Sequence, residues 1–453
     1  MHIYGSCWGF FFACLSSRYP RSYNPVQRLR HSTTLGLAEL RLAVVSPFLD
    51  RQHGTERCII EQLERLAVRD DLEIHVYAQR VEDLRGVTRD RNSSCSAPIL
   101  WHKVPAIPGP HLLAYVWWFL ANHLQRFWDS RIRGIKFDVL YSPGINAFDA
   151  DVIAVHIVFH EFYRRIRLHL KLDASSKARW PLLIHRRLYY RLIMTLERLV
   201  YPRRGTRLVA VSQLVSRHLE EFFGRSDARV IPNAVDTDRF TPQVRDQRRE
   251  IARATLRLSS EIFALLMIGN DWAKKGFETL AHCLAECRDL PLTLLVVGRD
   301  DPGIFLPLLE RLAVQDRVKF HPPTDEVELF YAAADLYASP SLEDSFALPP
   351  LEAMACGLPI ITSLNNGGSQ SITEGLDGFV LIDPLDINAL SALVRRLYEH
   401  PEIRSRVGEN AARTAQSYTW DRNAREIWDV LMLAFTEKGL GTGRKENTSV
   451  KLR

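Results

Sequence analysis

Short runs of aliphatic and β-branched residues alternate with longer amphipathic segments along most of the chain. In the first half, the apolar runs cover 42–46, 72–77, 138–142, 151–156, 208–212 and 229–233. A second series covers 263–270, 292–298, 318–321, 336–340, 359–363 and 378–383. Strands that alternate with helices form parallel sheets with crossover helices. The pattern predicts an α/β protein with two Rossmann-like, doubly wound domains that face each other across a cleft.

A polar stretch separates the two series of apolar runs. Residues 236–249 contain one proline and few apolar side chains, which is typical of a linker between domains. We therefore expect an N-terminal domain over residues 41–235 and a C-terminal domain over residues 236–420. Because ligands of open α/β sheets bind beyond the carboxyl ends of the strands, the cleft between the domains is the expected ligand site.

Composition places the chain among globular proteins. It has 453 residues, of which 46% are hydrophobic and 25% are charged, and its formal net charge is +6. No apolar run approaches the roughly 20 residues needed to cross a bilayer, so we expect no membrane span. The cysteines are scattered along the chain, which favours reduced thiols and a cytoplasmic protein.

The first 40 residues do not follow the alternating pattern. Their apolar run, residues 7–15, precedes the first arginines, whereas a secretory signal carries its basic residues before the apolar run. We interpret residues 1–40 as a disordered extension or as the product of a wrongly assigned start codon. A weak membrane-contacting segment is the alternative interpretation.

The stretch 341–357, "SLEDSFALPPLEAMACG", combines acidic residues with the start of a helix. Pro349 and Pro350, followed by good helix formers, are typical of a first helical turn. The preceding strand-to-helix loop favours an anion such as a phosphate, and the carboxylates of Asp344 and Glu352 suit the hydroxyls of a sugar and a ribose. A nucleotide sugar would satisfy both features. Alternatively, Asp344 only caps the helix and Glu352 lies favourably near its positive end.

Several motifs together resemble the retaining glycosyltransferases of family 4, which have the GT-B fold. The stretch 341–363 resembles the acidic-x7-Glu motif of that family. In chain order, the other likenesses are "HGTERCIIEQL" to the glycine loop, "AVSQLVSRHL" and "VIPNAVDTDRF" to the domain junction, "IGNDWAKKGFETL" to the donor-phosphate loop, and "YTWDRNAREIWDVL" to the closing helix. The resemblance covers most of residues 41–435 and implies a helix over 421–437 that returns to the N-terminal domain. We expect the polar residues 438–453 to form a disordered tail.

The resemblance assigns sugar and ribose contacts to the acidic motif. Asp344 would contact the donor sugar, and Glu352 would contact the ribose. The backbone around Phe346 and Ala347, with Leu348 beside them, would meet the sugar or the phosphates. These positions form most of the predicted donor site.

The resemblance adds Gly54 and Lys275 to the donor site. Gly54 lies in the glycine loop, and Lys275 matches the lysine that stabilises the negative charge on the departing diphosphate. Many relatives carry an arginine where this chain has Asn270, and Lys274 is the candidate replacement. We expect no metal ion, because enzymes of this fold generally use no bound Mg²⁺ for the step, and no cofactor besides the donor substrate.

Two positions of the predicted site have competing candidates. The first acidic residue of the family motif is usually Glu, whereas this chain has Asp344 preceded by Glu343, so either carboxylate is a candidate for the sugar contact. His156 ends an apolar run and matches the family's histidine that faces the donor sugar. His160 lies close enough in sequence to compete for that role.

The resemblance implies a retaining hexosyltransferase that uses a nucleotide sugar and a glycan or lipid-linked acceptor, in cell-envelope or exopolysaccharide synthesis. We favour a front-face mechanism, because no residue stands out as a nucleophile. Two alternatives stay open, a nucleotide-sugar epimerase with the same architecture and a catalytically silent glycan-binding scaffold. We expect no nucleic-acid partner, because the chain has no recognised reader motif.

Residues 180–204 are amphipathic and basic. This pattern is typical of a helix that lies on an anionic membrane surface, here the inner face of the cell membrane. It is equally typical of a domain helix with a solvated arginine face and a buried apolar face. Peripheral membrane attachment and an ordinary domain helix are therefore both open.

Overall fold

The computed structural model describes residues 40–88, 99–172 and 180–441. Within them the chain forms two α/β domains. The predicted extension lies outside the described residues except for Leu40, where the first strand begins. Residues 442–453 of the predicted tail lie outside them as well.

The N-terminal domain is built on an eight-stranded parallel sheet. Its elements in chain order are β1 (Leu40–Val45), β2 (Phe48–Leu49), α1 (Gly54–Leu66), β3 (Leu72–Ala78), β4 (Arg80–Val81), β5 (Val87–Thr88), β6 (Ile99–Lys103), α2 (His111–Arg131), β7 (Val139–Pro143), β8 (Val152–Val155), α3 (Phe159–Leu172), α4 (Trp180–Val200), β9 (Arg207–Ala210), α5 (Gln213–Phe223) and β10 (Arg229–Val230). The order in the sheet is β10-β9-β8-β7-β1-β3-β6-β5, and β2 pairs separately with β4. The strand order reverses between β1 and β7, so the crevice of this sheet opens there.

The C-terminal domain is built on a six-stranded parallel sheet. Its elements are α6 (Pro242–Thr255), β11 (Phe263–Ile268), α7 (Phe277–Glu286), β12 (Leu292–Val297), α8 (Leu306–Leu312), β13 (Val318–His321), α9 (Glu328–Ala333), β14 (Leu336–Ala338), α10 (Leu348–Ala355), β15 (Ile360–Ser363), β16 (Phe379–Leu381), α11 (Ile387–Glu399), α12 (Pro401–Ala415) and α13 (Trp420–Gly441). The order is β13-β12-β11-β14-β15-β16, so the reversal lies between β11 and β14. Loops that follow these two strands therefore meet at the crevice of the second sheet.

Burial on both faces explains why the strands were recognisable as continuous apolar runs. All six residues of β11 and all six of β12 are buried, and helices cover both sides of a doubly wound parallel sheet. The predicted fold class is confirmed by this topology.

The prediction of a linker over residues 236–249 is wrong in part. The helix α6 begins at Pro242, and the Thr241 side chain caps its N-terminus. Its polar sequence reflects buried ion pairing rather than an extended linker, since Arg253 Nη1 lies 3.2 Å from Asp335 Oδ2. A cap followed by proline at the first turn is a helix-start signal that the polar composition concealed.

The closing helix α13 returns to the N-terminal domain and packs against α1. A buried hydrogen bond joins the two helices, with Gln62 Nε2 donating to Asn423 Oδ1 at 2.9 Å. The helix extends past residue 437 to Gly441, so the prediction of a disordered tail from residue 438 is wrong for its first residues. Lys438 Nζ lies 2.8 Å from Asp151 Oδ2, which ties the end of the helix to the first sheet. No helix within the described residues is both long and apolar enough to cross a bilayer.

Candidate active site

A cavity of 1790 Å³ lies between the two domains at the carboxyl ends of both sheets. All of the site residues predicted from sequence line it, namely Gly54, His156, Lys274, Lys275, Glu343, Asp344, Phe346, Ala347, Leu348 and Glu352. The fold therefore brings together residues that are up to about 300 positions apart in sequence. Their individual roles stay predictions.

Lys275 and Asp344 form an ion pair at the crevice of the C-terminal sheet. Lys275 belongs to the loop after β11, and Asp344 to the loop after β14, which are neighbouring strands at the point of reversal. Gly269 makes room for the lysine, because a Cβ atom there would lie 2.9 Å from Lys275 Cε, and its φ of +137° favours glycine. The pair places a fixed cation where an anionic leaving group can reach it.

The interpretation of Asp344 as a helix cap is wrong. The N-cap of α10 is Ala347, and no side chain caps the helix. Asp344 Oδ1 instead accepts the N–H of Phe346 at 3.2 Å, within the loop. The Ala347 N–H points to Asn366 Oδ1 at 3.4 Å. A ligand that accepts hydrogen bonds from the amides of Phe346 and Ala347 would therefore share them with these two oxygens.

Glu352 lies in α10, is buried, and uses both carboxylate oxygens. Its Oε1 accepts from Arg57 Nη1 at 2.8 Å, and its Oε2 accepts from the Tyr331 hydroxyl at 2.7 Å. Arg57 lies in the first turns of α1, so this ion pair joins the two domains across the cleft. Burial, reinforced by the nearby charge of Glu352, raises the pKa of Tyr331 well above its ordinary value, so the tyrosine stays a hydrogen-bond donor.

Glu343 and Asp344 occupy different environments although they are adjacent. Asp344 is paired with Lys275, whereas no described residue donates a hydrogen bond to the partly buried Glu343 carboxylate. Burial, together with the neighbouring charge of Asp344, raises the pKa of Glu343 above its ordinary value. Of the two carboxylates, Asp344 is the one that an ion pair holds in a defined position.

His156 follows β8 and faces the cleft, whereas His160 does not line it. The Nε2 atom of His156 is buried and has no hydrogen-bond partner among the described residues. Burial lowers the pKa of His156 to about 4, so its ring is neutral near pH 7. His160 Nδ1 lies 2.6 Å from the buried Glu197 carboxylate. His160 is thus held in the domain interior, which favours His156 as the residue that faces a ligand.

The loop before α1 presents a helix N-terminus to the cavity. Asp50 Oδ1 accepts the N–H groups of Gln52 and His53, both at 3.0 Å, which fixes the turn. The helix then begins at Gly54, where an added Cβ would meet nothing within 4 Å. The open space at this helix N-terminus suits an anionic group such as a phosphate.

Two glycosyltransferase family models match the chain. The model described as glycosyltransferase family 4 matches residues 53–239, and the model described as glycosyl transferases group 1 matches residues 248–414. The chain belongs to the family 4, group 1 glycosyltransferases. The family predicted from the motifs is thereby confirmed.

Curated relatives of this chain include D-inositol 3-phosphate glycosyltransferases. Those of Salinispora tropica and an Arthrobacter species are 30% and 32% identical to it over 249 and 235 residues. The matches cover 51% and 49% of this chain, and 52% and 54% of the relatives. The chain thus spans about half the length of the curated relatives it matches.

Solved glycosyltransferase structures share the arrangement of both domains. The structure of WaaG, a glycosyltransferase involved in lipopolysaccharide biosynthesis, superposes with a TM-score of 0.68 at 20% identity, covering 86% of this chain and 99% of that one. Anabaena Alr3699/HepE, solved in complex with UDP and glucose, gives a TM-score of 0.61 at 17% identity and covers 87% and 99%. These likenesses confirm the GT-B fold.

Further charged residues line the cavity and were missed by sequence reasoning. Glu56, Arg57 and Arg299 are three of them. Burial raises the pKa of Glu56 to about 7, so its carboxyl exchanges protons near neutrality. Arg299 follows β12 directly, a strand-end position that could have identified it from sequence.

Arg299 offers a second candidate for the cation that the family supplies from the position of Asn270. Its backbone N–H donates to Asn270 Oδ1 at 3.0 Å, and its guanidinium donates across the cleft to Gln52. Lys274, the replacement expected from sequence, has its Nζ 2.9 Å from Asp271 Oδ2. Within the described part of the chain, no group of three or more His, Cys, Asp or Glu side chains is arranged to hold a metal ion.

Proposed function

We propose that this protein transfers a hexosyl group from a nucleoside-diphosphate sugar to a hydroxyl of a glycan or lipid-linked acceptor, with retention of anomeric configuration. One observation carries the proposal. The Lys275–Asp344 pair at the crevice of the C-terminal sheet faces His156 and the N-terminus of α1 across a single cavity. Family membership over both domains supports the same reaction class.

The donor would lie along the C-terminal side of the cavity. Lys275 is placed to bind the diphosphate, and Glu352 to accept hydrogen bonds from the ribose hydroxyls. Asp344, fixed by the lysine, would accept hydrogen bonds from the sugar. The Lys275 ammonium carries three N–H groups. When the donor binds, some of them would turn from the Asp344 carboxylate to the phosphate oxygens.

The space near Gly54 would accommodate the diphosphate from the opposite domain. The amide groups in the first turn of α1 add positive potential there. Because Lys275 and this helix N-terminus supply positive charge, the proposed reaction requires no divalent metal. Chelation with EDTA should then leave turnover unchanged, and a loss of turnover that Mg²⁺ restores would contradict this part of the proposal.

The proposed step is a front-face displacement. The bond between the anomeric carbon and the diphosphate oxygen breaks, and the acceptor hydroxyl oxygen bonds to the same face of that carbon. The acceptor proton passes to the departing phosphate oxygen, which leaves as nucleoside diphosphate. His156, neutral at pH 7, would hydrogen-bond the sugar rather than act as a strong base.

A role in cell-envelope or exopolysaccharide assembly, on the cytoplasmic side of the membrane, is part of the proposal. It is supported by a structural neighbour of the same fold, WaaG, a glycosyltransferase involved in lipopolysaccharide biosynthesis.

Nucleotide release from a panel of UDP-, GDP- and ADP-sugars tests the proposal. We expect release from one donor in the presence of a suitable acceptor, with loss of release in Lys275→Ala and slower release at low donor concentration in Glu352→Gln. NMR of the product should show the anomeric configuration of the donor. Conversion of the sugar without an acceptor would indicate an epimerase, and absence of donor binding across the panel would indicate a silent scaffold.

A further inference from the structure

The helix α2 presents large apolar side chains to solvent along one face. The residues are Leu113, Val116, Leu120, Leu124, Phe127 and Trp128, which we call the α2 apolar face. They are between 37% and 66% exposed. Their spacing of three and four residues places them on one side of the helix over most of its length. A contiguous apolar surface of this kind marks a binding surface rather than scattered exposed residues.

The opposite face of α2 is buried and combines the core residues Trp118, Phe119 and Ala121 with the polar residues Asn122, Arg126 and Asp129. Asn122 Nδ2 donates to the carbonyl of Asn146 at 3.2 Å. Arg126 makes a bidentate pair with Asp149, at 2.7 and 2.8 Å. Asp129 Oδ2 accepts from the Tyr77 hydroxyl at 2.8 Å. These buried contacts fix the rotation of the helix, so the apolar face cannot turn inward without leaving polar groups unsatisfied.

We propose that the α2 apolar face docks into the surface of an anionic lipid membrane. Charge complementarity identifies the occupant. Between residues 111 and 136, the exposed charged side chains are Arg131, Arg133 and Lys136, while the one acidic residue, Asp129, is buried. The Arg131 guanidinium lies 5.7 Å from the Phe127 ring centroid, so cationic groups adjoin the apolar face. Apolar side chains beside arginine and lysine are the features of interfacial helices.

The neighbouring helix α4, for which the sequence left membrane contact as one of two interpretations, supplies mainly charge. Within its described part, Ile184 and Leu188 are exposed next to exposed Arg187 and Arg191. It packs beside α2, with the Leu112 N–H 3.4 Å from His185 Nε2. The apolar contact therefore belongs to α2, and the arginines of α4 add to the positive potential of the same domain.

Vesicle binding of the full chain tests this surface without donor or acceptor, so its outcome is independent of the proposed reaction. The probe is a set of phosphatidylcholine vesicles with about 30% phosphatidylglycerol, analysed by co-sedimentation at low salt. We expect the native chain to bind and the double variant Leu124→Asp/Phe127→Asp to bind about tenfold less or worse. The matched control is Ile382→Asp, which changes an 84% exposed side chain of the other domain and should bind as the native chain does.

Charge variants separate the two contributions. Arg131→Gln/Lys136→Gln should weaken binding to these vesicles by about fivefold for each charge removed, and should change little with pure phosphatidylcholine. Circular dichroism should show unchanged melting for all variants, because the substituted side chains are exposed. The proposal is overturned if the native chain does not bind, or if the α2 double variant binds equally well. It is also overturned if sedimentation velocity shows a dimer that this variant dissociates, since a second copy would then cover the face.

Discussion

The two walls of the cleft hold their charged residues in different ways. The C-terminal wall consists of the loops after β11 and β14, where Lys275 pairs with Asp344 inside one domain. The N-terminal wall consists of the start of α1 and the end of β8, and from it Arg57 reaches across to Glu352 at 2.8 Å. The two acidic residues of one short motif are therefore held by cations from different domains.

The ion pairs of the two carboxylates therefore respond differently to domain movement. The pair within the C-terminal domain survives any movement of one domain relative to the other. The pair that crosses the cleft breaks when the cleft opens, as does the contact between Arg165 Nη1 and the carbonyl of Leu342 at 2.9 Å. The proposed sugar contact is therefore preformed, whereas the proposed ribose contact depends on domain closure.

The largest expected effect is on turnover, and it tests the pair within the domain. Lys275→Ala removes the cation that we propose to stabilise the departing diphosphate, and we expect kcat to fall by about 10²–10³. Lys274→Ala is the matched control, since its ammonium is engaged with Asp271, and its loss should be much smaller. Steady-state kinetics with the active donor measures both. Equal losses in the two variants would contradict the assignment of Lys275.

The next effect distinguishes the two carboxylates by isosteric substitutions. Glu352→Gln weakens the proposed charge-assisted contact to the ribose, and we expect the donor KM to rise about tenfold with a smaller change in kcat. Asp344→Asn leaves Lys275 unpaired and removes the proposed sugar contact, which would strengthen in the transition state, so it should mainly lower kcat. The comparison fails if both variants change the same kinetic parameter to the same degree.

The fold and the C-terminal wall could be predicted from sequence for a physical reason. Parallel strands buried on both faces leave continuous apolar runs, such as β11 and β12. The residues of this wall also fall in two short loops that directly follow such strands, at 269–276 and 341–352. The local sequence therefore indicated both where these strands end and which site residues follow them.

The N-terminal wall and the α2 surface could not be predicted in this way. Arg57 lies in an ordinary amphipathic helix, and its partner Glu352 is 295 positions away, so the pair exists only through the arrangement of the domains. In α2, large apolar residues occur on both sides of the helix, so hydrophobic periodicity does not select the side of Trp118 over the side of Leu124. The side with Asn122 and Arg126 faces the domain, where their hydrogen-bond partners lie.

A moderate effect is expected on the spacing of the domains. Arg57→Gln removes the ion pair across the cleft, so the free protein should populate open conformations and its radius of gyration in small-angle X-ray scattering should rise. Lys275→Gln is the control, because its pair lies inside one domain and should leave the radius unchanged. Donor affinity should fall several-fold in Arg57→Gln. An unchanged radius, or an equal change in both variants, would show that the Arg57–Glu352 pair does not hold the two domains together more than the Lys275–Asp344 pair does.

The smallest expected effect concerns His156 in the N-terminal wall. Burial in its own domain sets the protonation state of this histidine. Its pKa falls from the ordinary 6.5 to about 4, so the unfolded chain takes up a proton first as the pH drops. The stability that this group contributes is therefore full above pH 6.5 and is lost progressively down to about pH 4. Between pH 7.5 and 5.5, the native chain should lose about 1 kcal/mol more of its unfolding free energy than His156→Asn does. Urea denaturation at both pH values measures this difference, and equal losses would mean that the histidine is hydrated and titrates normally in the folded protein.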